Sequence, residues 1–258
     1  MRAVVNRRYG SPDIREVPAP QPGPDEIQIR VHATTVSRTD ACALRAHPFF
    51  MRLALGLMRP KRVILGLDFA GVVETTGSRV EAFAAGDRVF GVTPDGNGAH
   101  AEYLCVPASG AVALLPAGVP FREAVVGEGA WYANTYLETF GVGPSHEVLI
   151  YGASGAIGTS AVQLAKARGA QVTAVVSTPH LELARRLGAD RVVDYTVRDF
   201  TQLARRFDFV LDAVGKTTYS RYRPLLKPSA CSPQPTLGHG GRTSPFRFGR
   251  RSRVADAS

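Results

Sequence analysis

Hydrophobic positions along the chain follow two different patterns. Up to about residue 115 they come in short runs punctuated by glycine and proline. EIQIRVHATTV (26–36) alternates apolar and polar residues over its first half, then turns small and β-branched. VILGLDFAGVVETTG (63–77) and GDRVFGV (86–92) are further short runs broken by glycines, and AHAEYLCVPA (99–108) is closed by Pro107. Short strands at this spacing predict a small barrel rather than a parallel sheet. FREAVVGEGAWYANTYLETF (121–140) holds few breakers apart from Gly127 and Gly129 and predicts helix.

The pattern changes at Glu147. EVLIYGASGAIGTSAVQLAKARGA reads as a buried apolar strand, a glycine turn and an amphipathic helix ending before Gly169. QVTAVVST predicts a second strand. PHLELARRLGAD predicts a helix with Thr178 as N-cap, Pro179 at its first position and Gly188 at its C-terminus. RVVDY and FDFVLDAVG supply a third and a fourth strand. Strands alternating with helices of this length mean a parallel sheet with right-handed crossovers. The expected organisation is an α/β protein in three parts: a barrel domain over 1–118, an incomplete dinucleotide-binding sheet with helices on both faces over 119–228, and an atypical basic, disordered tail over 229–258.

Composition narrows the classes. The 258 residues are 45% hydrophobic, as in ordinary globular proteins, and no stretch approaches the roughly 20 apolar residues of a membrane span. The N-terminus lacks a signal peptide's apolar core, and Cys42, Cys105 and Cys231 lie far apart with no C-x-x-C pair. A reducing, cytoplasmic setting is expected, without a membrane partner. The formal charge is +9, but residues 229–258 hold five arginines and one aspartate, so four of those nine charges sit in the tail. With no recognition motif in that tail, nucleic acid is not the expected partner; a small-molecule substrate is.

The chemistry concentrates at Gly152, Ala153, Ser154, Gly155, Ala156, Ile157 and Gly158, a variant of G-x-G-x-x-G with alanine at its first position. Such a turn lets the backbone approach a pyrophosphate, presents N–H groups at a helix N-terminus and packs the helix tightly on its strand. Three small residues alone say little, but here they follow an apolar strand and open an amphipathic helix within a βαβ unit. At the end of the second strand, where NAD-specific folds carry an acid, the chain has Ser177, Thr178, Pro179 and His180. Two hydroxyls and an imidazole in place of a carboxylate favour NADPH over NADH; the bland alternative is that Thr178 only caps a helix.

VSRTDACALR, VILGLDFAGVVE, GDRVFGV, GAHAEYLCVP, EGAWYANTYL, VLIYGASGAIGTSAVQLAK, LGADRVVDY and DFVLDAVG, with LLKP after them, together resemble the zinc-independent quinone oxidoreductase and enoyl-reductase branch of the medium-chain dehydrogenase/reductase superfamily. The resemblance runs in order over roughly residues 1–228. It implies a GroES-like barrel domain followed by a Rossmann-type domain, and metal-free hydride transfer from NADPH to a quinone or an α,β-unsaturated carbonyl. Zinc-dependent relatives ligate their metal where this chain has Ser37 and Leu67, and the lobe that holds a second zinc is missing, so no zinc is expected. The resemblance also implies that Ser37, Thr39 and Asp40 line the nicotinamide pocket, with Thr39 as hydrogen-bond donor or proton relay. Tyr195 matches a tyrosine near the adenosine phosphate. The bland alternatives are that Thr39 and Asp40 cap a helix and that Tyr195 packs on the sheet edge. Glu128, Trp131 and Tyr132 enter the cofactor domain and are weaker candidates. His32, His47 and His100 show no ligand spacing. Relatives form homodimers by edge-strand pairing; here the oligomeric state stays open.

After LLKP such a fold goes on to a fifth, apolar strand. This chain reads SACSPQPTLGHGGRTSPFRFGRRSRVADAS instead, without helix or strand periodicity. One choice among the allowed, mostly GC-rich codons for this stretch, read in another frame, yields a sequence that opens with an apolar strand. The expectation is a frameshifted or truncated C-terminus, tested by sequencing the DNA across the codon for Pro228. The rival to an active reductase is therefore a remnant that at most binds dinucleotide or a partner.

Overall fold

The computed structural model describes residues 1–61, 63–93, 97–125, 127–215 and 217–228. The expectations for Cys231 and for the tail fall outside them. The chain divides into two compact units, Met1–Tyr132 and Ala133–Ser258.

The first unit is antiparallel. Strand β1 (Arg2–Val5) pairs with β2 (Asp13–Glu16); then follow β3 (Glu26–Thr34), helices α1 (Arg38–Arg45) and α2 (Arg52–Leu55), and strands β4 (Asp68–Thr76), β5 (Arg88–Val92), β6 (Tyr103–Pro107) and β7 (Val112–Leu114). The larger sheet has the order β6-β3-β4-β5-β7, and β1 is tied to the unit by isolated bridges from Ala3 to Ala101 and from Val5 to Ile64. Its core is the period-two face read from the sequence: Ile27 and Ile29 of β3, Phe69 and Val73 of β4, Val89 of β5, Leu104 and Val106 of β6. Residues 63–67 do not extend β4; Ile64 and Leu65 make only single bridges.

The predicted helix over 121–140 is two helices, α3 (Phe121–Ala124) and α4 (Gly127–Thr139). The sequence break expected at 118 and the structural division after Tyr132 differ for a physical reason. Ala124 packs on Ala70 and Leu115, Phe121 stacks on His32 at 4.6 Å, and Arg88 lies over the Phe121 ring at 4.5 Å. These contacts fasten α3 and the start of α4 to the antiparallel unit.

The second unit is a parallel sheet of β8 (Glu147–Tyr151), β9 (Gln171–Val176), β10 (Arg191–Asp194) and β11 (Phe209–Asp212), in the order β10-β9-β8-β11. Helix α5 (Ala156–Ala167) joins β8 to β9, α6 (Leu181–Arg186) joins β9 to β10, and α7 (Tyr219–Tyr222) follows β11. Alternate residues bury on opposite faces. Val148, Ile150, Val172, Ala174 and Leu211 meet Ala161, Val162 and Ala165 of α5, whereas Leu149, Val175 and Val210 meet Phe200, Phe207, Tyr222 and Leu225. Two-sided burial is why these strands read as continuous apolar runs. Strand order reverses beside β8, and at such a switch point the strands' carboxyl ends leave a crevice suited to a ligand. Among the described residues no helix is long and apolar enough to cross a membrane.

Candidate functional site

In the second unit the site is the turn between β8 and α5. The chain leaves β8 through Gly152 at φ +78°, turns through Ala153 and Ser154, and enters α5 from Gly155, an N-cap without a side-chain hydrogen bond. The first-turn amides of α5 are therefore left without a side-chain cap, with the positive end of the helix dipole behind them. The glycines differ in what requires them. A methyl on Gly158 would overlap the Gly152 carbonyl oxygen and lie 2.6 Å from Ala153 Cα, so tight helix–strand packing demands glycine there. A methyl on Gly155 would meet only the Gly152 carbonyl oxygen, at 3.6 Å. The chain itself tolerates a side chain at 155, and the bare backbone there suits close approach by a pyrophosphate.

At the end of β9 the structure corrects two expectations. Ser177, not Thr178, holds the N-cap position, and it caps a short 3-10 turn over Thr178–His180 that precedes α6. Thr178 is not a free donor either: its hydroxyl lies 2.6 Å from Asp194 Oδ2 at the end of β10, and Thr196 lies 2.9 Å away. Hydrogen bonds from Thr178 and Thr196 hold the Asp194 carboxyl below the usual carboxylate range. An acid thus stands beside the strand end after all, brought in from the neighbouring strand. Ser177 and His180 stand at the two ends of the turn that carries Thr178. Tyr195 remains 45% exposed, with its ring edge-on to Tyr151 at 6.0 Å. It borders a cavity of about 330 Å³ also lined by Arg198, Arg221 and Thr217, whose buried hydroxyl oxygen has no hydrogen-bond partner.

In the first unit a polar cluster surrounds the start of α1. Ser37 is the N-cap: its hydroxyl accepts from the Asp40 amide at 3.1 Å while Asp40 Oδ2 accepts from the Ser37 amide at 2.8 Å, a reciprocal capping box. The helix thus begins two residues earlier than DACALR, and Thr39 is not its cap. Asp40 is 4% exposed and also accepts from the Gly66 amide. His100 Nε2 lies 4.0 Å from Asp40 Oδ2 and, since its 2.8 Å partner is the Thr35 carbonyl oxygen, carries a proton there.

Thr39 is exposed and donates from Oγ1 to Glu128 Oε1 at 2.5 Å. Glu128 is seated by its own amide, which donates to Asp68 Oδ1 at 2.9 Å, and Thr35 donates to Asp68 Oδ2 at 2.9 Å. Burial pushes the Asp68 carboxyl above the usual carboxylate range against the pull of those two hydrogen bonds, and nearby Asp40 adds to the rise. Burial, then the Glu128 charge, raises the Tyr132 phenol. Trp131 is 46% exposed and packs on Tyr132 at 4.9 Å. The Thr39–Glu128–Asp68 chain joins residues far apart in sequence, and no local pattern signals it.

The description "Alcohol dehydrogenase GroES-like domain" matches residues 23–117, and "Zinc-binding dehydrogenase" matches residues 156–248. A solved alcohol dehydrogenase superfamily protein from Novosphingobium aromaticivorans is 30% identical, with a TM-score of 0.77 over 88% of this chain and 70% of that one. The chain belongs to the medium-chain dehydrogenase/reductase superfamily. Within this superfamily it is 34% identical over 225 residues to a mitochondrial NAD(P)H oxidoreductase, RTN4IP1, of Mus musculus, covering 79% of the chain and 56% of the relative. It is 32% identical over 234 residues to 2-methylene-furan-3-one reductase of Solanum lycopersicum, covering 84% and 58%. The chain thus spans little more than half the length of these relatives.

A dinucleotide and a zinc ion, the two groups that superfamily membership raises, fare differently against these side chains. The uncapped helix start and the side-chain-free backbone at Gly155 fit a pyrophosphate. For zinc the donor set does not fit: among the described residues no three His, Cys, Asp or Glu side chains are grouped to hold a metal ion.

Proposed function

We propose that the chain is an NADPH-dependent oxidoreductase that delivers hydride, without a metal, to an α,β-unsaturated carbonyl or a quinone. The observation that carries this reading is the steric contrast at the glycine turn: helix–strand packing demands glycine at 158, whereas at 155, the N-cap of α5, a methyl would make only ordinary contact and the bare backbone suits a pyrophosphate. The bound dinucleotide would supply the hydride. Residues 152–158 would hold its pyrophosphate, and Ser177, Thr178, His180 and Tyr195 its adenosine side.

NADPH is favoured over NADH by the free Ser177 hydroxyl and by Arg198 and Arg221 around the Tyr195 cavity. Asp194 opposes this, but two hydroxyl donors already share its charge. Thr39 would meet the carbonyl oxygen of the acceptor. Conjugated acceptors suit a site without a Lewis acid, because the charge that develops as hydride arrives is spread over the enolate or hydroquinone. The name of the tomato relative, a reductase of a methylene ketone, supports the same class.

The test mixes purified chain, NADPH and either cyclohexenone or menadione and follows loss of the dihydronicotinamide absorbance, with NADH as control. Turnover faster with NADPH is the expected result. A cooperative melt that NADPH raises, without turnover on either acceptor, would leave a dinucleotide-binding remnant as the function.

A further inference from the structure

Resting on the reductase reading just given, we propose that Glu128 sets the direction of the Thr39 hydroxyl and supplies the proton that Thr39 passes to the acceptor oxygen. A hydroxyl owns one proton. In the structure that proton points at Glu128 Oε1 across 2.5 Å, so Thr39 offers only lone pairs to anything else. In this state it cannot donate to a carbonyl oxygen. It becomes a donor when the Glu128 carboxyl carries a proton of its own and gives it to Thr39 Oγ1.

The arrangement is held for this contact. The Glu128 main chain is fixed by Asp68, Asp68 is fixed by Thr35, and half-buried Glu128 keeps a route to solvent. Tyr132 on α4 feels the Glu128 charge, and Asp68 on β4, which accepts the Glu128 amide, lies near Asp40 of α1. Ser37 Oγ accepts from the Asp40 amide in the helix cap, and no hydrogen bond links it to Glu128.

The step balances. A bound dinucleotide would supply the hydride from its C4–H bond; those two electrons would form the new C–H bond at the acceptor's β-carbon while the acceptor's π electrons move onto oxygen. Thr39 gives its proton to that oxygen while Glu128 gives its proton to Thr39. The nicotinamide is oxidised, the acceptor is reduced by two electrons, the enol returns to the ketone in water, and solvent reprotonates Glu128. Glu128 is thus a positioning and proton-supplying residue that acts through Thr39.

The experiment compares wild type, Glu128→Gln, Thr39→Val and the double variant with NADPH and cyclohexenone. The isosteric glutamine keeps a hydrogen-bonding group and carries no acidic proton. Each single variant is expected to lose about a hundredfold in kcat with KM little changed, and the double variant to lose no more than either, since the two act as a unit. Thermal melts without cofactor should show non-additive shifts for the same four proteins. NADPH should raise the melt of Glu128→Gln as much as that of wild type. Wild-type kcat in Glu128→Gln, losses that multiply in the double variant, or additive melting shifts each overturn the relay while leaving the reductase standing. A wild type that transfers no hydride overturns the reductase reading and the relay with it.

Discussion

A single glycine separates what the chain needs for itself from what it offers a ligand. Gly158→Ala forces a methyl against the Gly152 carbonyl oxygen and should cost about 1–3 kcal/mol by overpacking. Gly155→Ala places its methyl at ordinary contact distance, so it should cost at most about 1 kcal/mol, largely for the poorer N-cap. Its larger effect should be on cofactor binding, an affinity loss of roughly tenfold, or about 1.4 kcal/mol. Melts of both variants with and without NADPH check this. If Gly155→Ala is stabilised by NADPH as fully as wild type is, the bare backbone at 155 is not a phosphate contact. The same scale shows where sequence reading reaches its limit. The turn was legible because its glycines, strand and helix are contiguous. The Asp194–Thr178 pair was not, since a rule that inspects the end of β9 does not see a side chain arriving from β10. Nor was the Thr39–Glu128 pair, whose partners stand 89 positions apart.

Elements differ in legibility for the same reason. The strands of the parallel sheet are buried on both faces and announce themselves as apolar runs, whereas β2, DIRE, is exposed at every position and carries no periodicity at all. Strand β7 is three residues long, and β1 pairs with that same featureless partner. What fastens the parallel sheet at the amino ends of its strands is a charge knot. The Glu147 amide donates to Asp208 Oδ2, Lys227 reaches Asp208 at 2.8 Å and Glu147 at 3.2 Å, and Arg205 pairs with Glu147. Burial alone would push both carboxyls up; for Glu147 the hydrogen bonds from Arg205 and Lys227 outweigh it, and for Asp208 those from the Glu147 amide and Lys227 do, leaving both below the usual range. A carboxyl depressed on folding stabilises the fold above its unfolded pKa, about 4, and loses that contribution as pH falls through the folded value. Lys227→Met should therefore cost about 1 kcal/mol at neutral pH, and its difference from wild type should shrink as pH falls below the unfolded carboxyl value of about 4. Urea melts at several pH values check it; a difference that persists in acid would mean that packing of the lysine stem, not charge, holds the knot.

For the whole molecule the feature that weighs most is a cavity of about 730 Å³ in the antiparallel unit. Val4, Ile14 and Val36 line it while exposed, and so does Asn6, only 1% exposed, whose amide nitrogen and oxygen both lack a hydrogen-bond partner. The cavity is open to solvent, as the exposure of Val4, Ile14 and Val36 shows, but Asn6 is buried, and buried polar groups are normally satisfied, so its amide is a local deficit. Each unsatisfied buried group costs about 1–3 kcal/mol. Asn6→Leu removes both orphaned atoms and puts an apolar side chain among the apolar residues Ala3, Val4 and Leu65 of the cavity lining. In the isolated chain it should raise stability by about 1 kcal/mol or more, read as a higher urea midpoint at unchanged slope. A lower midpoint would mean that Asn6 is satisfied in solution by ordered water within the cavity, which then counts as part of the fold. In that case the antiparallel unit is a complete solvated structure, and the stability of the chain is limited elsewhere.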